Sequence, residues 1–191
     1  MIGNDIVDLK QIGKTVNWKR PRFLDKVFTQ NEQQLIFSSE KQHRTVWLLW
    51  SMKEAAYKCH VQQYGRRFFN PKRLVCELIF EEKGIVRIDN NNYFTDSTIT
   101  EDYVYTIANL NGQKAVNSSI FKAEIKSHNT QSSQLKQSLI ASVSENRSIE
   151  LNAIKIKKTE QGVPQLFINS EQLVMSFSLT HCGRFSGFVY C

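Results

Sequence analysis

Glu54 and Lys58 stand one helical turn apart in the stretch WLLWSMKEAAYK, Trp47 to Lys58, with Lys53 next to the glutamate. On a helix that spacing puts Glu54 and Lys58 on one face. A carboxylate on so apolar a wall is costly to bury without a partner. Asp5 is a second carboxylate of this kind, set beside Gly3 in the run IGNDIVDL. If Asp5 and Glu54 converge, they make an oxygen-ligand site for Mg²⁺, a cation that keeps waters and takes substrate phosphate oxygens as its other ligands. A lysine beside such carboxylates is placed to meet a phosphate. The plainer reading is an exposed Glu54–Lys58 pair and an Asp5 that caps a turn. His181, in SLTHCGR, follows a strand and precedes Gly183 and Arg184. It has no GxSxG elbow around it, a lone histidine is more often structural than catalytic, and the chain has no glycine-rich phosphate cradle.

Several elements must form to bring these groups together. Ile2–Leu9 alternates enough for a strand. Thr29 with Glu32 three residues later is a capping-box signature, so a helix is expected over Phe28–Ser39. A second helix is expected from about Arg44 to His60, broken by the Gly65–Pro71 stretch. Strand patterns follow at Arg73–Phe80, Gly84–Asp89, Tyr93–Thr100 and Tyr103–Leu110, with EEKG and DNNN as turn chemistry between the first three. Another strand is expected at Ser119–Lys126, and Ser127–Gln134 reads as a loop or a helix lead-in. Leu135, Leu139, Ile140 and Val143 have helical spacing. The tail carries strand patterns near 151–158, 164–168, 174–181 and 185–191. Strands clustered with hairpin-length connections predict an α+β fold in two lobes, not a βαβ repeat, with a boundary near Asn111–Val116.

The 191 residues, 41% of them hydrophobic, suffice for a real core. No apolar run approaches the ~20 residues of a membrane span. The start MIGNDIVDLK reads neither as a signal peptide nor as a transit sequence, so a cytoplasmic protein with no membrane partner is expected. Cys59, Cys76, Cys182 and Cys191 lack the spacing of a zinc site and read as reduced thiols, mostly packing residues. The net charge of +7 is spread along the chain, with local clusters at Lys10–Lys26 and in RRFFNPKR, Arg66–Arg73. Such patches suit a polyanionic partner, whether nucleic acid, phosphorylated cofactor or acidic protein, or form a solvated basic surface.

Four separated motifs together resemble the 4′-phosphopantetheinyl transferase superfamily: IGNDIVDL, FTQNE, WSMKEAAYK and SLTHCGRF. The third is the most specific match. The resemblance implies a pseudo-dimeric α+β fold of two similar lobes, each with helices packed on a small antiparallel sheet. It implies transfer of the 4′-phosphopantetheine arm of coenzyme A to a serine of an acyl or peptidyl carrier protein, with release of adenosine 3′,5′-bisphosphate. Carried onto this chain, it makes Asp5 and Glu54 the Mg²⁺ ligands, and Glu54 and Lys58 the catalytic residues. Lys53, Lys58, Thr180, His181 and Arg184 become the coenzyme A-binding set, with Thr180 in the place of a family serine. Either Glu54 or a water on the metal would relay the serine proton.

The motif order matches the small holo-acyl-carrier-protein synthase type. The length and the 116–191 stretch instead resemble the two-lobe, surfactin-synthetase type with its lobes exchanged. Lobes at 1–112 and 113–191 are expected, with the active site between them in a monomer; the alternative is a small-type subunit with about 70 inserted residues. Val7 stands where the two-lobe type has a second acid, so water or Asp8 is left as the third metal ligand. Val163 replaces the lysine of a G-K-P motif. On charge alone, Arg66, Arg67, Lys72, Arg73 and Arg184 are candidates to hold the 3′-phosphate. Two rival readings are a nucleic-acid module stacking bases on Phe68 and Phe69, and a degenerate family member that binds coenzyme A or carrier protein without turnover. The expected partners are coenzyme A and a carrier protein, with no nucleic acid.

Overall fold

The computed structural model of the chain describes residues 1–68, 70–112, 116–123, 128–160 and 162–191. It begins with strand β1 (Ile2–Asp8), buried along its whole length. Asp8 ends the strand by accepting the amides of Lys10 and Gln11, and so caps a short helix, α1 (Leu9–Thr15). The sequence pattern announces neither this helix nor α2 (Phe23–Val27). Seven residues with Gly13 among them show no helical period, and α2 starts after Arg22, whose backbone is left-handed. Helix α3 (Gln30–Ser38) has the expected capping box: Glu32 N donates to Thr29 Oγ1 at 3.3 Å and Thr29 N to Glu32 Oε2 at 2.7 Å. Helix α4 (Gln42–Tyr64) runs past its expected ends and stops at the left-handed Gly65.

Strands β2 (Leu74–Leu78), β3 (Lys83–Ile88), β4 (Asn91–Ile99) and β5 (Tyr103–Asn109) follow as a meander. With β1 they form one antiparallel sheet in the order β1-β5-β4-β3-β2. Helix α4 covers a face of it, where Val46, Leu49, Met52 and Ala56 pack with Val86, Ile88, Tyr93 and Val104.

After β6 (Asn117–Lys122) comes helix α5 (His128–Arg147), so most of the Ser127–Gln134 stretch is helix. The strand expected over Ser119–Lys126 ends at Lys122, and its last residues lie outside the described ones, as do three at the expected lobe boundary. Strands β7 (Ile154–Lys158), β8 (Pro164–Ile168) and the unsignalled β9 (Glu171–Leu173) form one three-stranded sheet. Strands β10 (Phe177–Cys182) and β11 (Phe185–Tyr190) join β6 in another, ordered β10-β11-β6. Leu135, Leu139 and Val143 of α5 pack onto Ile154, Leu166, Phe177 and Phe188 from both sheets. The fold is α+β, with helices laid on antiparallel sheets. A third cluster, Ile6, Tyr105 and Phe185, ties the two larger cores together.

Candidate active site

The site begins with a close approach of backbones. A Cβ on Gly3 would overlap the Ala55 carbonyl and lie 2.8 Å from Cys59 N, so only glycine lets β1 lie this tightly on α4. Strand alternation brings Asp5, two residues on, to the same face. There Lys58 Nζ donates to Asp5 Oδ1 at 3.3 Å and to the Asn4 carbonyl at 2.8 Å. Two turns back from Lys58, Ser51 Oγ donates to the Asp5 carbonyl at 3.3 Å.

The other side of Asp5 is built by β10. Strand β1 is an edge of its sheet, and its Asn4 and Ile6 amides donate to Ser178 Oγ (3.2 Å) and Thr180 Oγ1 (3.1 Å). Two hydroxyls at alternate positions of one strand thus do what a neighbouring strand's carbonyls would do. Thr180 Oγ1 also donates to Asp5 Oδ1 at 3.2 Å, and Lys58 Nζ reaches the Leu179 carbonyl at 3.5 Å. Asp5 is therefore held between α4 and β10.

Burial pushes the Asp5 carboxyl above its ordinary value, against the lowering charge and hydrogen bond of Lys58. Glu54 is pushed up to about 7, first by burial and then by the charge of Asp5, with Lys58 opposing. The Asp5 charge raises the proton affinity of Glu54 because the single lysine does not neutralise both. Such a pair has the chemistry of a divalent-cation seat. Among the described residues, no group of three or more His, Cys, Asp or Glu side chains gathers to hold a metal ion. Two carboxylates, Asp5 and Glu54, are the residues that could hold Mg²⁺ here, and they would leave the rest of its shell to waters and a phosphate ligand.

Glu54 lines two cavities. The larger, of about 830 Å³, has Arg20, Arg22 and Lys26 on its rim and Phe23, Trp50 and Phe68 in its walls. The smaller, of about 410 Å³, lies between α4 and the α5–β7–β10 side and is also lined by Lys58, Arg67, Lys136, Lys158 and His181. Tyr57 borders both.

The structure brings Asp5, Glu54, Lys58 and His181 to this place, and it gives three residues of the expected coenzyme A-binding set, Lys53, Thr180 and Arg184, partners within the protein. Lys53 is 2% exposed. Its ammonium is paired with Glu32 at 2.8 Å and donates to the Pro71 and Leu74 carbonyls, so its charge is already met although the residue borders the larger cavity. Thr180 is 4% exposed, and its hydroxyl is taken up by Ile6 and Asp5; it positions a carboxylate and does not line the cavity. Arg184 is fastened to Asp8 through Nε (2.8 Å) and Nη2 (2.8 Å) and to Asp102 at 3.2 Å. That clasp removes Asp8 as a third metal ligand. Burial would raise the Asp8 carboxyl, yet the Arg184 hydrogen bonds and charge and the backbone amides hold it at about 2. Val7 is core.

The Arg66–Arg73 cluster is also less open than its composition suggests. Phe68 packs edge-on to Tyr57 and His60, with Arg73 over its ring, and Arg73 pairs with Asp89. The base-stacking reading therefore loses Phe68, while Phe69 lies outside the described residues. All four cysteines are free; burial pushes the Cys59 thiol up to about 12. Sequence reasoning missed Ser178, although Ser178 and Thr180 alternate within SFSLTH. It also missed Lys136 and Lys158, for which no motif gives a signal.

The sequence profile of the 4′-phosphopantetheinyl transferase superfamily matches residues 1–108, and the chain belongs to that superfamily. Among solved structures, the holo-[acyl-carrier-protein] synthase of Thermotoga maritima is similar at 11% identity over 90% of this chain and 83% of its own, with a TM-score of 0.45. The Helicobacter pylori synthase in complex with coenzyme A is similar at 15% identity over 100% of this chain and 97% of its own, with a TM-score of 0.27. No curated protein matches the chain.

Proposed function

We propose that this protein transfers 4′-phosphopantetheine from coenzyme A to a serine of an acyl or peptidyl carrier protein. The observation that carries the reading is Glu54, which stands at the meeting of two cavities with Asp5 and Lys58 behind it. The smaller, cation-lined cavity suits the polyanionic donor. The larger one, with Arg20, Arg22 and Lys26 on its rim, suits an acidic carrier domain.

In this reading the serine oxygen bonds to the phosphorus that bears the pantetheine. The bond from that phosphorus to the bridging oxygen breaks, and its electron pair leaves on adenosine 3′,5′-bisphosphate. Lys58 offsets the charge that builds on the pyrophosphate oxygens, a contribution that needs position more than covalent chemistry. Glu54, between the two cavities, is placed to receive the serine proton. Asp5 and Glu54 would hold Mg²⁺, which supplies neutralisation of pyrophosphate charge. His181 lines the donor cavity. The division at 112–113 belongs to the same proposal: one core lies wholly before it and another wholly after it. A monomeric, cytoplasmic enzyme goes with it.

The test is mass spectrometry of apo carrier proteins of fatty-acid, polyketide and peptide synthases, incubated with the protein, coenzyme A and Mg²⁺. A gain of one phosphopantetheine, prevented by chelator, is expected on at least one carrier. No gain on any of them, with coenzyme A still bound, would favour the non-catalytic family member.

A further inference from the structure

Strands β1 and β10 meet through side-chain hydroxyls. Ser178 and Thr180, at alternate positions of β10, turn to one side and accept the Asn4 and Ile6 amides of β1 at 3.2 and 3.1 Å. As bridges between the strands the two are alike. They differ in one bond: Thr180 Oγ1 also donates to Asp5 Oδ1 at 3.2 Å, and among the described residues no such bond joins Ser178 to a carboxylate. The buried Thr180 hydroxyl is thus used twice, its oxygen by the Ile6 N–H and its proton by Asp5. The branched Cβ leaves the side chain few rotamers, so the hydroxyl is held stiffly. The other side-chain donor to Asp5, Lys58 Nζ, reaches the same oxygen at 3.3 Å and also the carbonyl of Leu179, the neighbour of Thr180, at 3.5 Å. With both donors on Oδ1, no side chain among the described residues donates to Oδ2.

A carboxylate fastened by one oxygen presents the other, and partners that orient a metal ligand without touching the metal set much of the affinity. We propose that Thr180 is a positioning residue for Mg²⁺: it pins Asp5 Oδ1 and leaves Oδ2 to the cation. The second half of the chain then sets the affinity of a ligand pair, Asp5 and Glu54, that lies wholly in the first. This rests on the cation seat proposed above. It also gives Thr180 a different task from the one its place in SLTHCGR implies, since its hydroxyl meets a ligand of the cation and not the coenzyme. The seat is complete only when β10 lies against β1, and by reciprocity Mg²⁺ tightens that contact.

The experiment titrates Mg²⁺ alone into the full chain at pH 8 by calorimetry, for the wild type, Thr180→Val, Thr180→Ser and Ser178→Ala. Urea unfolding in chelator checks that each variant is folded. Valine keeps the branched shape and removes the hydroxyl, and it should weaken Mg²⁺ binding about tenfold, the low end for partners of this kind. Serine restores the hydroxyl and should stay within about threefold of the wild type. Ser178→Ala removes a bridge of the same kind that does not touch Asp5, and it should leave the Mg²⁺ affinity unchanged. Equal weakening by Thr180→Val and Ser178→Ala, or none by Thr180→Val, overturns the positioning role alone. If the valine variant does not fold, residue-resolved amide hydrogen exchange of the wild type decides. Mg²⁺ should slow exchange at Ile6 more than at Asn4, and equal slowing, or none, overturns the role. Failure of Mg²⁺ to bind the wild type overturns the cation seat with it.

Discussion

Replacing Glu54 by glutamine should abolish transfer and yet stabilise the metal-free protein, more at pH 8 than at pH 5. The carboxyl is raised from its ordinary 4.5 to about 7 in the fold. Below 4.5 it is protonated in both the folded and the unfolded chain and contributes no difference. As pH rises, the unfolded chain releases the proton while the folded chain keeps it until about 7, so wild-type stability falls across that window. With 1.36 kcal/mol for each pKa unit, the ionisation costs the wild type about 0.8 kcal/mol at pH 5 and about 3.3 kcal/mol at pH 8. Glutamine has nearly the same volume and no charge, so its advantage should grow by about 2.5 kcal/mol between those pH values. Urea unfolding of both proteins in chelator, at pH 5 and pH 8, reads this directly. Adding Mg²⁺ at pH 8 should then stabilise the wild type by mass action and the variant much less. Parallel stability profiles would refute the reasoning: Glu54 would not be a charge-poor buried group, and the case for a cation seat beside Asp5 would fall with it.

Lys53→Met should act on the fold and not on the donor. It strands Glu32, which has 0% exposure, and the loss of one partner from a buried pair costs about 3–5 kcal/mol; urea unfolding should show this, and the double change with Glu32→Gln should recover much of it. Arg184→Met should destabilise the fold at pH 7, but less than Lys53→Met does, because Arg184 keeps 27% of its side chain exposed. The Asp8 carboxyl sits at about 2 against an ordinary 3.8, so its stabilisation is present above about 4 and lost as pH falls toward 2. The deficit of the Arg184 variant should therefore shrink in acid, as measured by denaturant midpoints from pH 7 to pH 2.5.

Much of the fold was legible because it is carried by local patterns. The Thr29–Glu32 box, the long apolar helix and the four alternating strands of the first sheet each need only neighbouring residues to declare themselves. Helices α1 and α2 declare nothing of the kind. They are too short for a period, and α1 depends on the Asp8 carboxylate folding onto the two amides ahead of it. Asp8 is the last residue of β1, and a strand pattern gives no sign that its side chain also caps a helix.

The site was legible in part for a related reason. Sequence shows a charge but not the charge that answers it. Lys53 and Lys58 lie on the same helix five residues apart and look equally fit to meet a phosphate. What separates them is the partner each finds in three dimensions. Glu32, on α3, takes both lysine-facing oxygens inward and leaves Lys53 a structural cation. Asp5 shares its lysine with two carbonyls at the cavity wall and leaves Lys58 within reach of a ligand. Arg184 follows the same logic, since its answering carboxylate is 176 residues away in sequence and meets it through β10–β11.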